Sequence, residues 1–311
     1  MLLLDGGSTA ISHFLPKPHP PIPPPLSKFW TSAYAKIAPS AVQSWHTSFL
    51  AAGSGIITTS TYQLPLQEDS PESDIPGLVR VAVQVALNAI EEAGRGSIAL
   101  SFGTRNAGIG KEEYGTEGKF TIGEYAEFHR KRIQEFYGAL GELWDKVSYL
   151  AFETVSSYEE ALSIISVLSD DVVRPIIHTK KTWITFSCGD ASLSRMSEIF
   201  AQLLDSPDIS CLWGIGFNCV GIDIAVDLVK MAEEKLLSTD LTLVIYPDAG
   251  KWAARTSAQF TYEAPVSTEQ EIGDWAETMS TISKLNQGRI LLGGCCNTDS
   301  RFISTLAKML K

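Results

Sequence analysis

The sequence predicts a single α/β domain folded as a (β/α)8 barrel. Short apolar or β-branched runs alternate with segments of helical periodicity along the chain, as a barrel of parallel strands requires. Polar residues follow nearly every apolar run, including the first and the last. A doubly wound open sheet, the competing arrangement, explains that second observation less well. We therefore expect one barrel domain over residues 1–311, with its functional residues at the carboxyl ends of the strands.

Eight segments have the apolar or β-branched composition of buried parallel strands. In chain order they are residues 2–4, 55–61, 97–102, 149–152, 182–187, 212–217, 241–246 and 289–292. The first strand is followed by Asp5 and the last by Cys295 and Cys296. Because all carboxyl ends meet on one face of a parallel barrel, we expect residues that are far apart in sequence to converge there.

Helical periodicity fills the intervals between the strands. The predicted helices cover residues 78–93, 124–143, 158–168, 193–204, 222–237 and 269–285. Gly94 is typical of the residue that follows a helix, and residues 247–268 are predicted to form a long loop. His46 and His129 lie within helical patterns, and we interpret both as structural residues rather than ligands.

Residues 15–26 interrupt the pattern, because seven of these twelve positions are proline. Proline locks φ and lacks a backbone donor, which excludes a helix or a central strand here. We interpret the segment as a polyproline II insertion on the surface of the barrel, between the first strand and its helix. The alternative is a docking ligand for a domain with an aromatic groove.

Composition excludes several classes of partner. The 311 residues carry a formal net charge of −11, which disfavours a nucleic-acid or anionic membrane surface. No window approaches the roughly 20 apolar residues of a membrane helix. Asp5 and the absence of a basic leader argue against a secretory signal, and the five cysteines form no disulfide-like framework. We expect a cytoplasmic protein in which thiols stay reduced.

Cys219, Cys295 and Cys296 are predicted to emerge at one rim of the barrel, from the ends of the sixth and eighth strands. Three thiolates suit Zn²⁺ and leave its fourth position open, which is typical of a catalytic site. Redox-active thiols are the alternative, although a disulfide between neighbouring residues would be strained. We interpret Cys188 and Cys211 as ordinary buried cysteines.

Two carboxylates and one amide are also predicted at this rim. Asp5 and Glu153 end the first and fourth strands, where a lone carboxylate would be costly without a partner. Both could grip the ammonium group of an amino-acid substrate, or they could form bonds within the barrel mouth. Asn218 could orient a ligand or bond local backbone. No phosphate-binding Gly-rich loop with lysine and no serine nucleophile elbow is present.

At this point the chain closely resembles the homocysteine S-methyltransferases, a zinc-dependent family. The resemblance covers essentially the whole chain apart from the proline segment. Its motifs follow the family's order: Leu4 to Gly7, His46 with Ala52 to Gln63, Phe152 to Thr154, Gly216 to Cys219, Tyr246 to Gly250, and Gly293 to Cys296.

The resemblance implies a barrel with Zn²⁺ on the three rim cysteines. It implies that Asp5, Glu153 and the backbone near Gly6 and Gly7 hold homocysteine, and we include Asn218 among the candidate substrate-binding residues. The donor would be a sulfonium, S-methylmethionine or S-adenosylmethionine, and the product methionine. Aromatic faces could hold the sulfonium by cation–π attraction or serve only as packing; the candidates are Tyr62, Tyr114, Trp183 and Trp252.

Three positions depart from the family's usual residues. Ser60 and Asp248 stand where members commonly have asparagine, and Asn297 stands where they have arginine. Residues 101–108 replace a more usual proline-tyrosine-glycine pattern. These departures lie around the donor side, and they support an alternative from another class, a zinc-thiolate binding protein without turnover. Methylation of a related thiol or selenol is an alternative within the same class, because the barrel mouth would look nearly the same.

Overall fold

The computed structural model describes residues 2–107, 119–188, 192–250 and 266–311. Over these residues eight parallel strands form one sheet in the order β1-β8-β7-β6-β5-β4-β3-β2. The strands are β1 Leu2–Leu3, β2 Ile56–Thr58, β3 Ser97–Phe102, β4 Val147–Val155, β5 Lys181–Phe186, β6 Gly214–Gly221, β7 Thr242–Asp248 and β8 Ile290–Leu292. The amide of Gly55 donates to the carbonyl of Leu3 at 2.8 Å and joins the two ends of the sheet. The predicted (β/α)8 barrel is confirmed.

Helices connect the strands and cover the outside of the barrel. They are α1 Trp30–Ile37, α2 Pro39–Ala52, α3 Ile75–Ala93, α4 Ile122–Leu140, α5 Tyr158–Ser169, α6 Arg174–Ile177, α7 Leu193–Leu204, α8 Ile222–Leu236, α9 Glu269–Ile282 and α10 Ser300–Met309. Side-chain caps begin several of them: Thr121 and Thr268 each form a capping box with a glutamate three residues later. None of the described helices combines the length and apolar character needed to cross a membrane.

The predicted elements agree with the structure in kind and differ at some ends. Strand 97–102 and helix 193–204 have the predicted bounds. Helices α1, α6 and α10 were not predicted, and α2 was predicted only as a helical pattern around His46, without bounds. The prediction ended the fourth strand at residue 152 and the sixth at residue 217, whereas β4 continues to Val155 and β6 to Gly221. A register irregularity interrupts each strand near its end, so the polar residues there hide the continuation from a pattern of apolar residues.

Two apolar layers hold the barrel together. Inside it, a small cluster includes Ala99, Tyr149, Trp183, Val244 and Tyr246, all less than a tenth exposed. A larger layer fills the space between the outer face of the sheet and the helices. Because side chains alternate across a strand, the position two residues beyond an inner-layer residue also faces inward. This alternation directs Ser101, Glu153 and Thr185 into the barrel mouth.

The proline segment lies between two short 3-10 helices, Ser8–His13 and Leu26–Phe29. Most of its residues from Pro16 to Pro25 are exposed or half-buried, and none belongs to a helix or a strand. Its interpretation as a surface insertion remains a prediction, as does the assignment of residues 1–311 to one domain.

Candidate active site

The three predicted rim cysteines lie together. The Sγ atoms of Cys219 and Cys296 are 4.0 Å apart, and both are within 4.8 Å of the Sγ atom of Cys295. Sulfur atoms that share one tetrahedral zinc are about 3.8 Å apart, given a Zn–S distance of about 2.3 Å. The geometry therefore suits one shared cation. Cys188 is buried in the outer layer and Cys211 is half-buried, and neither belongs to the cluster.

Asp248 is the fourth member of this cluster. A carboxylate oxygen of Asp248 lies within 4.8 Å of each of the three Sγ atoms. The side chain is fully buried at the end of β7, and its Oδ1 accepts a hydrogen bond from the amide of Cys296 at 2.9 Å. The sequence analysis names Asp248 as a departure from the family's usual asparagine and does not predict it as a metal ligand. The signal was available, because the strand that ends there lies between the two strands that carry the cysteines.

The three thiols are close enough to affect one another's ionisation. Hydrogen bonding with Cys295 and Cys296, followed by burial, raises the pKa of the Cys219 thiol well above its ordinary value. Three neighbouring thiolates would repel one another in the absence of a positive charge, and a divalent cation removes that penalty. The donor set of three sulfurs and one carboxylate oxygen therefore fits zinc, which accepts both ligand types.

Backbone conformation aims these residues into the mouth. Thr154, Cys219 and Asn297 have φ angles of 61°, 54° and 64°, which non-glycine residues adopt at a cost of about 1–3 kcal/mol. Thr154 directly follows Glu153, and Asn297 directly follows Cys296. Cys219 is itself one of the three clustered cysteines. In β4 and β6 the same positions coincide with the register irregularities. β-Bulges of this kind turn a side chain away from the regular alternation, which explains how Cys219 reaches the other thiols.

Asp5 follows β1 and closes the seam between β1 and β2. Its Oδ2 accepts a hydrogen bond from the amide of Thr58 at 2.7 Å, and its Oδ1 accepts one from the Thr58 hydroxyl at 2.9 Å. Burial raises the pKa of Asp5 to about 8, the bonds from Thr58 oppose this, and the charge of Glu153 adds to it. Glu153 is therefore close enough for its charge to disfavour the ionised form of Asp5.

Glu153 is only partly covered and lies in β4. The Ser101 hydroxyl donates a short hydrogen bond to its Oε1, and interaction with the Tyr246 hydroxyl lowers the pKa of Glu153. Burial raises the pKa of Glu153 to about 7, and the nearby Cys295 adds to this shift. Among the described residues, no lysine, arginine or histidine forms an ion pair with Glu153 or Asp5. Within the described part of the chain, these two carboxyl groups therefore have no cationic partner.

Tyr246 and Ser101 were not predicted as site residues. The Tyr246 hydroxyl accepts from Trp183 Nε1 at 3.4 Å and lies 2.6 Å from Thr185 Oγ1. These side chains come from β5 and β7 and form a polar layer beneath the two carboxyl groups. Only the inward alternation of strand residues could have indicated them from the sequence.

Gly6 and Gly7 pack against the loop that carries Cys295. A Cβ atom on Gly7 would lie 1.9 Å from the carbonyl oxygen of Cys295, and one on Gly6 would lie 2.6 Å from that of Thr298. The amide of Gly7 donates to the carbonyl and the hydroxyl of Thr298, at 3.0 and 2.9 Å. Because neither glycine has a side chain, the backbone that follows β1 packs directly against the loop that carries Cys295.

Of the four aromatic residues predicted as candidates for contact with the sulfonium, two lie among the described residues. Trp183 is fully buried in the inner layer, where its ring packs near Tyr149 at 5.7 Å between centroids. Tyr62 follows β2, and its carbonyl accepts from the amide of Gly103 at 3.2 Å. The predicted aromatic residues Tyr114 and Trp252 lie outside the described residues.

Both helical histidines are buried away from the thiol cluster. Burial lowers the pKa of His46 to about 3, so this side chain is neutral. His129 Nε2 lies 2.9 Å from Oε1 of the buried Glu160, which also accepts from the amide of Arg105 at 2.8 Å. Neither histidine belongs to the cluster of potential metal ligands among the described residues.

Comparison with known proteins identifies a family. The family model described as Homocysteine S-methyltransferase matches residues 2–310. Homocysteine S-methyltransferase 1 of Brassica oleracea is 25% identical over 303 residues, which cover 91% of this chain and 86% of the relative. Homocysteine S-methyltransferase 1 of Saccharomyces cerevisiae is 26% identical over 286 residues, which cover 86% and 79% of the two chains.

A solved structure has the same fold. The metallated form of the homocysteine methyltransferase MmuM from Escherichia coli superimposes with a TM-score of 0.70 and 22% identity, over 99% of this chain and 96% of that one. At this identity the similarity establishes the fold alone. The family match is independent of it and spans both ends of the described barrel.

Proposed function

The chain belongs to the homocysteine S-methyltransferase family, and on that basis we propose that it uses zinc to transfer a methyl group from a sulfonium to homocysteine. The methyl donor would be S-methylmethionine or S-adenosylmethionine, and the product methionine. The observation that carries the proposal is the cluster of Cys219, Asp248, Cys295 and Cys296, whose ligand atoms lie within 4.8 Å of one another.

The thiol cluster would hold the metal. Cys219, Cys295 and Cys296 supply three soft ligands, and Asp248 supplies an oxygen that a substrate sulfur could replace. When bound, zinc would keep the homocysteine thiol deprotonated near neutral pH, where a free thiol with a pKa of about 8.5 is mostly protonated. The four side chains themselves fix where the acceptor sulfur lies in the mouth.

The amino end of homocysteine would meet the two carboxyl groups. The charge of Glu153 raises the pKa of Asp5, and no cation among the described residues neutralises either carboxyl group. An ammonium group placed between them would supply the missing positive charge and would favour the ionised form of both carboxyl groups. The cluster and the carboxyl pair together therefore favour an amino acid that carries a thiol. The backbone of Gly6 and Gly7 would complete this part of the site, and Asn218 would border it through its bonds to Thr154 and Cys295.

The methyl group would move directly between two sulfur atoms. The homocysteine sulfur forms a bond to the methyl carbon while the bond from that carbon to the sulfonium sulfur breaks, and the donor leaves as a neutral thioether. Positive charge on the donor and negative charge on the acceptor cancel in this step, so a site that excludes water favours it. Tyr62, beside the mouth, is the described residue we propose for contact with the sulfonium.

Two measurements test the proposal. We expect about one zinc per chain by elemental analysis, and formation of methionine from homocysteine with at least one of the two sulfonium donors. Cys295→Ser should abolish both, whereas Cys211→Ser, outside the cluster, should preserve both. Zinc binding without methionine formation from either donor would contradict the proposed reaction, and a metal-free active enzyme would contradict the role of zinc.

A further inference from the structure

Asn218 connects the two irregular strand ends of the active site. It lies in β6, only 1% exposed, immediately before the β-bulge that contains Cys219. Its amide side chain reaches across β5 to Thr154, which lies in the corresponding irregularity of β4 and directly follows Glu153. One side chain thus joins the strand of a proposed metal ligand to the strand of a proposed substrate-binding carboxylate.

Every polar atom of this amide has a partner. Asn218 Oδ1 accepts from the backbone amide of Thr154 at 2.8 Å. Nδ2 donates to the Thr154 hydroxyl at 2.9 Å and to Cys295 Sγ at 3.9 Å. An amide nitrogen has two hydrogens, so no donor remains for a substrate. Because both Nδ2 hydrogens and one lone pair of Oδ1 are already engaged, these bonds assign Asn218 to positioning.

The bridge links the conformation of Thr154 to the location of the Cys295 sulfur. Thr154 has a φ angle of 61°, which its surroundings must enforce because the left-handed region is unfavourable for threonine. The two bonds from Asn218 supply that constraint, and the third bond ties the same amide to a proposed metal ligand. A cation that fixes Cys295 would therefore also restrict Asn218, Thr154 and the neighbouring Glu153.

We propose that Asn218 couples the metal site to the binding of the amino end of the substrate. Occupied metal ligands hold the amide bridge in place, the bridge holds Thr154, and Glu153 is then already oriented for the ammonium group. This inference rests on the proposed function for the identity of metal and substrate. By linkage, an amino acid bound at Glu153 raises the affinity for the metal by the same factor.

L-norvaline separates this coupling from coordination of the substrate sulfur. Norvaline has the amino end of homocysteine and a methyl group in place of the thiol, so it cannot bind the metal through sulfur. Isothermal titration calorimetry measures its dissociation constant with zinc-loaded and with metal-free protein. For the wild type we expect norvaline to bind at least about fivefold more tightly to the zinc-loaded form, at the lower end of typical coupling between sites.

Asn218→Ala should bring this ratio to about one by removing all three bonds. Asn88→Ala is the matched control, because Asn88 lies on α3 and bonds only Gln84 among the described residues; it should keep the wild-type ratio. Thr154→Val retains the branched shape at the strained position and removes only the hydroxyl acceptor, so it should give an intermediate ratio. It also serves as the test variant if Asn218→Ala does not fold, which circular dichroism detects.

Three results would overturn the inference: equal norvaline affinity of the two wild-type forms, no binding to the zinc-loaded form, or an unchanged ratio in Asn218→Ala. Direct contact between Asn218 and the amino acid gives the last of these, because affinity then falls equally with and without metal. The methionine-formation assay is independent of this ratio. An active wild type with a ratio of one contradicts only the coupling, whereas a coupled but inactive wild type contradicts only the proposed reaction.

Discussion

The carboxylate of Asp5 accepts hydrogen bonds from both the backbone amide and the hydroxyl of Thr58, at 2.7 and 2.9 Å. A side chain thereby takes the place of a backbone carbonyl where β1 and β2 meet. The charge of Glu153 also disfavours the ionised form of this carboxylate. Asp5 therefore closes the barrel and, on the proposed function, binds the substrate. Burial favours the neutral carboxyl group in the absence of substrate, whereas a bound ammonium group would favour the ionised form.

Metal-free protein should lose stability as the pH rises from about 4 to about 8. Asp5 and Glu153 have pKa values of about 8 and 7 in the folded state, against ordinary values of 3.8 and 4.5. Because the folded state holds protons that the unfolded chain has released, each group lowers the free energy of unfolding by up to about 1.4 kcal/mol per pH unit in this window. Urea unfolding between pH 5 and 7.5 measures the slope.

Asp5→Asn should reduce that slope and preserve the fold. An asparagine amide can accept from the Thr58 backbone and donate to the Thr58 hydroxyl, so both bonds at the seam have a neutral replacement. Asp227→Asn, on the exposed face of α8, should leave the slope unchanged. Identical slopes in Asp5→Asn and wild type would contradict the raised pKa of Asp5.

Glu153→Gln should weaken homocysteine binding. The amide oxygen can still accept from Ser101, so the variant removes the charge and keeps the shape. Loss of one member of a close charge pair in a partly covered site costs about 2 kcal/mol, which corresponds to a rise of about 30-fold in KM for homocysteine. Steady-state kinetics with homocysteine varied at saturating donor measures it, with the exposed Glu234→Gln as control. An unchanged KM would exclude Glu153 from the ammonium site.

Asp248→Asn should weaken the metal site without destroying it. Asparagine can still accept from the amide of Cys296, while the negative charge beside the three thiols is lost. We expect zinc affinity to fall by about 10- to 100-fold, as for other changes close to a metal. Competition with a chromophoric chelator measures this. Zinc affinity equal to that of wild type would show that the carboxylate does not interact with the metal.

Gly7→Ala should disrupt the loop that carries Cys295 and Cys296. The added Cβ would meet the Cys295 carbonyl at 1.9 Å, and backbone there must shift to make room. We expect zinc affinity to fall by at least about tenfold, since ligand geometry depends on this loop. Gly138→Ala is the matched control: its Cβ meets open space on α4, and it should raise stability by about 0.5–1 kcal/mol. Normal zinc binding by Gly7→Ala would contradict the steric argument.

Local sequence patterns were sufficient for most of the barrel. Strand 97–102 and helix 193–204 have the predicted ends because apolar periodicity and turn residues delimit them clearly. Helix α2, by contrast, has buried residues in pairs four positions apart, one of them His46, and a polar residue in that stripe weakens the apolar signal. Helix α10 had a detectable start, since Asp299 caps it before Phe302, Ile303 and Leu306.

The sequence by itself determined the alternation of strands and helices and the location of the three cysteines at strand ends, because both follow from short-range periodicity. Tertiary structure alone decided that Asp248 joins the thiols, that Asp5 closes the seam and that Asn218 spans from β6 to Thr154. Each of these contacts joins residues more than 25 positions apart and depends on strand register. The contacts of Cys219 and Asn218 also depend on β-bulges that turn single side chains into the mouth. A β-bulge costs one residue of register, which a local pattern of apolar residues does not encode.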